Sequence, residues 1–150
     1  MTFFKSALFV AGVFLAGAAQ AQVVQDCQWE NTAQAIVEPW DEHTRTFSKG
    51  ETRVTVLDRI EPGAGAMHVQ VLSPPRDELG GRQCKIISLN WSLGFAAIYF
   101  DALSAGYDPA VGLLFDLPVE IYDEASAGFE NRMLSFTLNQ ATGALDAVLN

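Results

Sequence analysis

Positive charge is scarce in this chain. Nine Lys and Arg stand against eighteen Asp and Glu, for a formal net charge of −9. Holding phosphates requires clustered Lys and Arg, so a nucleic-acid partner is not expected. Cysteine is scarcer. Two thiols are too few for a disulfide-dense miniprotein or a four-thiolate zinc site. Only two histidines are present, and no convergent set of His, Cys and carboxylate ligands stands out, so neither a metal nor a cofactor is expected. A hydrophobic fraction of 49% excludes a disordered chain. The length suits one domain.

Catalytic motifs are missing as well. There is no Gly-x-Ser-x-Gly elbow and no calcium-binding loop. Gly63-Ala64-Gly65 lacks the rest of a phosphate-binding fingerprint and opens no helix. His43 follows Trp40-Asp41-Glu42, and a carboxylate beside an imidazole is general-base chemistry. Neighbours in a strand point to opposite faces, however, so adjacency alone makes no site. No catalytic residue is assigned.

The first 21 residues read as an export signal. Lys5 supplies a positive start, Ala7 to Ala19 is uncharged and apolar, and Ala19-Gln20-Ala21 is a small-x-small cleavage site. The apolar stretch is short of the roughly 20 residues that span a bilayer. Cleavage would leave a chain from Gln22 to Asn150, secreted or periplasmic and not membrane-spanning. It would remove Lys5 and no acid, leaving eight basic against eighteen acidic residues, net −10. The charge is uneven: residues 22–85 carry −3, and residues 86–150 carry −7, with Arg132 their single base.

Export gives the two cysteines a meaning. In an oxidising compartment an even pair is most simply a disulfide, here Cys27 with Cys84.

A local rhythm marks the second half. Asp108-Pro109-Ala110-Val111-Gly112, Asp123-Glu124-Ala125-Ser126-Ala127-Gly128 and Asn139-Gln140-Ala141-Thr142-Gly143 each begin with Asp or Asn and end with Gly. The side-chain oxygen can cap a turn, and Gly can take its left-handed exit. Between these loops apolar residues alternate: Phe115, Leu117, Val119 and Ile121; Leu134, Phe136 and Leu138; Leu145, Ala147 and Leu149. Period two with one polar face predicts antiparallel strands, so residues 95–149 are expected to form a four-stranded meander. Residues 95–105 fit either a strand or a helical face, and the hairpin loop at Asp108 favours strand, with Phe95, Ala97, Tyr99, Leu103 and Tyr107 on one side. Pro118 removes a ladder donor, which predicts an edge or a bulge there.

The first half also reads as β. A hairpin is expected over Thr44–Phe47 and Glu51–Ile60, with Val54 and Val56 inward. A strand then carries Met67, Val69 and Val71, with His68 and Gln70 on an exposed face; Ser73-Pro74-Pro75 is expected to stop it. Cys84–Trp91 is the next strand, and residues 30–38 are a short helix or an edge strand. Together these predict an all-β antiparallel sandwich or small barrel, stapled by the disulfide and helped by Trp29, Trp40 and Trp91 in the core.

The loop Arg76-Asp77-Glu78-Leu79-Gly80-Gly81-Arg82 is the expected binding element, through Arg76, Asp77, Glu78 and Arg82. Its Pro-Pro stem is stiff, its Gly pair is free, and loops on rigid β scaffolds commonly bind partners. The leading expectation is therefore a non-enzymatic binding or envelope-accessory domain with a protein or envelope partner. It would use this loop or the edge of Ala144–Leu149. One alternative is a small hydrolase with a carboxylate and His43. Another is an apolar-ligand carrier with Trp40, Trp91, Tyr99 and Phe100 lining a barrel.

Overall fold

The computed structural model describes residues 20–29 and 31–150. The expected leader therefore lies outside the described residues except for Gln20 and Ala21. In chain order the strands are β1 (Gln20–Ala21), β2 (Val23–Asp26), β3 (Thr44–Phe47), β4 (Thr52–Asp58), β5 (Met67–Arg76), β6 (Arg82–Ser88), β7 (Ala97–Ile98), β8 (Ser104–Asp108), β9 (Gly112–Asp123), β10 (Gly128–Leu138) and β11 (Leu145–Leu149). Three single 3-10 turns interrupt them, and no α-helix occurs among the described residues.

The strands form two antiparallel sheets. The N-terminal sheet has the order β2-β6-β5-β4-β3, and the C-terminal sheet β1-β11-β10-β9-β7, with β8 also paired to β9. The architecture is an all-β sandwich, and its C-terminal half is the expected meander. The alternation explains the packing. Val54, Val56, Val69, Val71 and Ile87 from one sheet meet Leu113, Phe115, Leu117, Val119, Leu134, Phe136, Leu138, Leu145, Ala147 and Leu149 from the other in one buried cluster. Phe136 stacks on Phe115 with ring centres 4.7 Å apart, and Phe115 meets the edge of Phe47 at 5.0 Å. Cys27 and Cys84 form the disulfide, with Cα atoms 5.3 Å apart.

The three loops are capped as their composition predicts. Asp108 Oδ1 accepts the Ala110 amide at 2.7 Å, Asp123 Oδ1 that of Ala125 at 3.1 Å, and Asn139 Oδ1 that of Ala141 at 3.0 Å. Gly112 (φ 119°) and Gly143 (φ 79°) take left-handed exits. The middle loop differs: Ala127, not Gly128, is left-handed, with φ 52°. A β-carbon in that region costs about 1–2 kcal/mol. Replacing Ala127 with Gly should therefore stabilise the chain by about 0.5–1 kcal/mol after the added unfolded-state entropy is subtracted. A urea midpoint that fell instead would refute the assignment.

Several expectations are corrected. The strand over residues 95–105 is broken: Ala97–Ile98 pairs with β9, Phe100–Ala102 turns, and pairing resumes at Ser104. The buried side chains there are Phe95, Ile98, Phe100 and Leu103, whereas Tyr99 and Tyr107 are exposed. Pro118 is neither at an edge nor at a bulge. Its carbonyl accepts the Tyr99 amide, and the N and O of one residue in an antiparallel strand point to the same side. The missing donor thus falls opposite the gap between β7 and β8. Strand β5 runs through Pro74-Pro75 to Arg76 with a register shift, and β6 ends at Ser88 rather than at Trp91. Residues 30–38 contain a 3-10 turn at Ala33–Ala35, then a bridge from Ile36 to Leu57.

The tryptophans are not core residues. Trp29 is 88%, Trp91 78% and Trp40 55% exposed. Trp40 stands over the outer face of the N-terminal sheet, beside Thr44, Thr55 and Gln70, and Trp91 lies on the segment whose Gly94 packs on His68.

His68 is also corrected. It does sit on that outer face, but the 89–95 segment buries it to 2% exposure. Its Nδ1 is 2.9 Å from Ser88 Oγ, and Gly94 packs so close that a β-carbon there would stand 2.8 Å from the ring's Cε1. Burial, aided by the Arg59 guanidinium and opposed by Asp58, lowers His68 from 6.5 to about 4. The folded state therefore holds the ring neutral while the unfolded chain protonates near pH 6.5. This stability is present in full above that value and is lost as the pH falls toward 4, by about 3 kcal/mol. Urea unfolding of wild type and His68→Asn at pH 7 and pH 4.5 should show a steeper loss in the wild type. Equal losses would exclude the mechanism.

Candidate binding surface at the loop end

One end of the sandwich gathers the loops that the sequence marks out. The 76–82 loop is a tight hairpin between β5 and β6. Asp77 organises it: Oδ1 accepts the amides of Leu79 at 2.9 Å and Gly81 at 2.7 Å, and the Asp77 amide donates to the Gly81 carbonyl at 2.8 Å. Arg76 closes the hairpin by donating to the Gly80 carbonyl at 2.8 Å, and its other nitrogen pairs with Glu51 at 2.9 Å. Arg82 donates to the carbonyls of Gly50 (3.0 Å) and Glu51 (3.2 Å). Three of the four expected binding residues thus hold the hairpin to itself and to the β3–β4 turn. Exposed ion pairs of this kind add little stability individually, but here they fix a position. Glu78 is different. It is exposed and makes no hydrogen bond or ion pair with the described residues. Beside it, Leu79 stands 97% exposed at the tip.

Two further turns join this end. The β10–β11 turn is tied to the base of the hairpin, since Gln83 Nε2 donates to the Gly143 carbonyl at 2.8 Å. It is tied to the β3–β4 turn by the Ser48 hydroxyl donating to Gln140 Oε1 at 3.0 Å and by Gln140 Nε2 donating to Thr52 Oγ1 at 3.0 Å. The β8–β9 turn lies alongside, and a recess of about 330 Å³ between the two is lined by Tyr107, Pro109, Val111, Asn139, Gln140 and Ala141. Residues from four loops, distant in sequence, therefore form one cross-braced surface with Leu79, Tyr107 and Val111 exposed on it.

The C-terminal strand is a second surface. Met133 and Asn150 exchange both backbone hydrogen bonds, so Asn150, Val148 and Asp146 turn their amides toward β10, and Leu149, Ala147 and Leu145 turn theirs outward. Among the described residues the outward side is paired at its end. Gln20 lies opposite Leu149, Ala21 opposite Val148, and the Gln22 amide reaches the Ala147 carbonyl at 3.0 Å.

The residues of the two alternative readings are dispersed. His43 Nδ1 donates to the Pro39 carbonyl at 3.0 Å, and no group of three His, Cys, Asp or Glu that could hold a metal occurs among the described residues. Trp40 lines a recess outside the N-terminal sheet, Phe100 is in the core, and Tyr99 donates to Glu120 on the outer face of the opposite sheet at 2.8 Å. These aromatics share no cavity. No helix among the described residues is long and apolar enough to cross a membrane, and the disulfide is compatible with a secreted protein. No protein-family model, curated protein or solved structure matches the chain.

Proposed function

We propose that the chain is an exported, periplasmic binding module that holds a protein partner of the cell envelope with the loop end of its sandwich. The observation that carries this reading is the cross-bracing of the 76–82 hairpin to the β3–β4 and β10–β11 turns. It holds an apolar tip, Leu79, in open solvent on a fixed support. A large side chain held in that way is a contact in waiting, because the ordering entropy of the loop has already been lost before binding. Glu78 supplies a free charge beside it. Arg76, Asp77 and Arg82 position the tip.

The test separates tip from frame. A photo-crosslinker at position 78 of the exported chain should capture a discrete envelope protein, and Leu79→Asp should abolish that capture. Glu124→Lys, on the β9–β10 turn at the opposite end, should leave it unchanged. Capture that survives Leu79→Asp would overturn the proposal. The strand edge has its own support. If residues 1–21 are removed, β1 leaves with them and the outward amides of β11 lose that pairing, which opens a place for an extended segment.

A further inference from the structure

A second site lies on the outer face of the N-terminal sheet, away from the loop end. Thr44, Thr55 and Gln70 stand in register across β3, β4 and β5. Thr55 is 1% exposed, whereas Thr44 and Gln70 on either side of it are half-buried. The row offers two hydroxyls and a carboxamide. The Thr44 and Thr55 hydroxyls are 3.4 Å apart. The Gln70 amide nitrogen faces the disulfide sulfurs, 3.4 Å from that of Cys84. Arg53 follows on the same face of β4, two residues from Thr55. Trp40 and Asp41 enter from the segment that crosses above. These six residues line a recess of about 420 Å³, floored in part by Ala33 and Ile36, a volume within the range of small-molecule sites.

Two features set this recess apart from an ordinary surface dent. First, Arg53 and Asp41 line it together without forming an ion pair, and the Arg53 guanidinium makes no hydrogen bond or ion pair with any described residue. A guanidinium with five unused donors is suited to a carboxylate or similar anion. It is the more notable in a chain of net charge −9. Second, Trp40 is 55% exposed, so its apolar surface stands beside the polar row. A pyranose ring matches this pairing. Its C–H face is apolar enough to cover an indole, and its hydroxyls both donate and accept, as Thr, Gln and Asp do.

We propose that this recess binds a saccharide whose pyranose ring carries an anionic group. Trp40 covers the ring, Thr44, Gln70 and Asp41 meet its hydroxyls, Thr55 backs Thr44 from beneath, and Arg53 meets the anion. An apolar ligand would leave the Arg53 guanidinium and the Asp41 carboxylate without a partner, at a cost for each. This site is independent of the loop end, and neither proposal needs the other.

The chain has three tryptophans, so its indole N–H signals in a two-dimensional NMR spectrum report on the recess and carry two internal references. Oligogalacturonate at millimolar concentration should shift the Trp40 signal and leave those of Trp29 and Trp91 in place. A neutral gluco-oligosaccharide should bind about tenfold more weakly, the equivalent of one lost charge-assisted hydrogen bond. Arg53→Gln should bring the two sugars to equal affinity, and Trp40→Ala should abolish binding of both while the remaining amide spectrum stays folded. No shift at Trp40 with either sugar, or shifts confined to Trp29 or Trp91, would overturn the assignment. Equal affinity for the two sugars in the wild type would overturn the role of Arg53.

Discussion

Removing the disulfide, by Cys27→Ser with Cys84→Ser, is expected to lower the free energy of unfolding by about 4 kcal/mol. The bridge spans 57 residues, and a closed loop of that length removes much of the freedom of the unfolded chain. The folded state adds a local reason. Strand β2 has four residues and sits at the edge of its sheet. Beyond it the Cys27 amide still reaches the Cys84 carbonyl at 3.0 Å, and from there the chain turns to cover the outer face. Without the bridge, β2 is held to its sheet by one four-residue ladder with β6. Urea unfolding of the oxidised wild type and the double variant measures the difference. A loss below about 1 kcal/mol would show that the staple is redundant.

Phe136→Ala should cost as much, about 3–5 kcal/mol. Phe136 is 1% exposed and is the inner partner in the aromatic contact that runs through Phe115 to Phe47 on the other sheet. Truncation removes the stacked face and leaves a void between two sheets that cannot close upon it. Phe129→Ala is the control. Phe129 is on the same strand but 60% exposed, touching Tyr122 edge-on at 5.6 Å, so its loss should cost no more than about 1 kcal/mol. Chemical denaturation of the two variants side by side decides the matter: equal costs would mean that the inward and outward faces of β10 had been misread.

The inward face was legible because alternation is a local property. Leu134, Phe136 and Leu138 announce it within five residues, and Asp108, Asp123 and Asn139 announce their turns by chemistry confined to the turn itself. What stayed hidden depends on residues far along the chain. His68 sits on the face that the alternation assigns to it, and its burial comes from a segment some twenty-five residues later. The tryptophans illustrate the reverse: size and apolarity favour burial, but these three lie outside the strands, with more than half of each in solvent. The break at Phe100–Ala102 is a packing solution that seats Phe100 and Leu103 inward, and Asp101 is the single turn-forming residue within it.

The candidate surfaces divide in the same way. Loop 76–82 was readable as a loop, but its bracing depends on Glu51, Gly50 and Gly143, which nothing in the sequence connects to it. The Trp40 recess is hidden in the sequence because the size and apolarity of Trp40 point to the core. Its signal was nevertheless present: Arg53 and Thr55 alternate with Val54 and Val56, which places both on the outer face.

The way the chain is divided between the sheets would matter to a chain that is exported. Strands β2 to β6 lie within residues 23–88, and β7 to β11 within residues 97–149. Threaded across a membrane from its N-terminus, such a chain would deliver one whole sheet, with both cysteines, before any strand of the other except the two-residue β1. During that interval Val54, Val56, Val69, Val71 and Ile87, all buried in the finished molecule, face water with nothing to cover them. Such half-built intermediates are prone to aggregate. The early staple can hold the first sheet in shape, but only translocation of the second half can shield it, so the speed of the threading sets how long the molecule stays vulnerable.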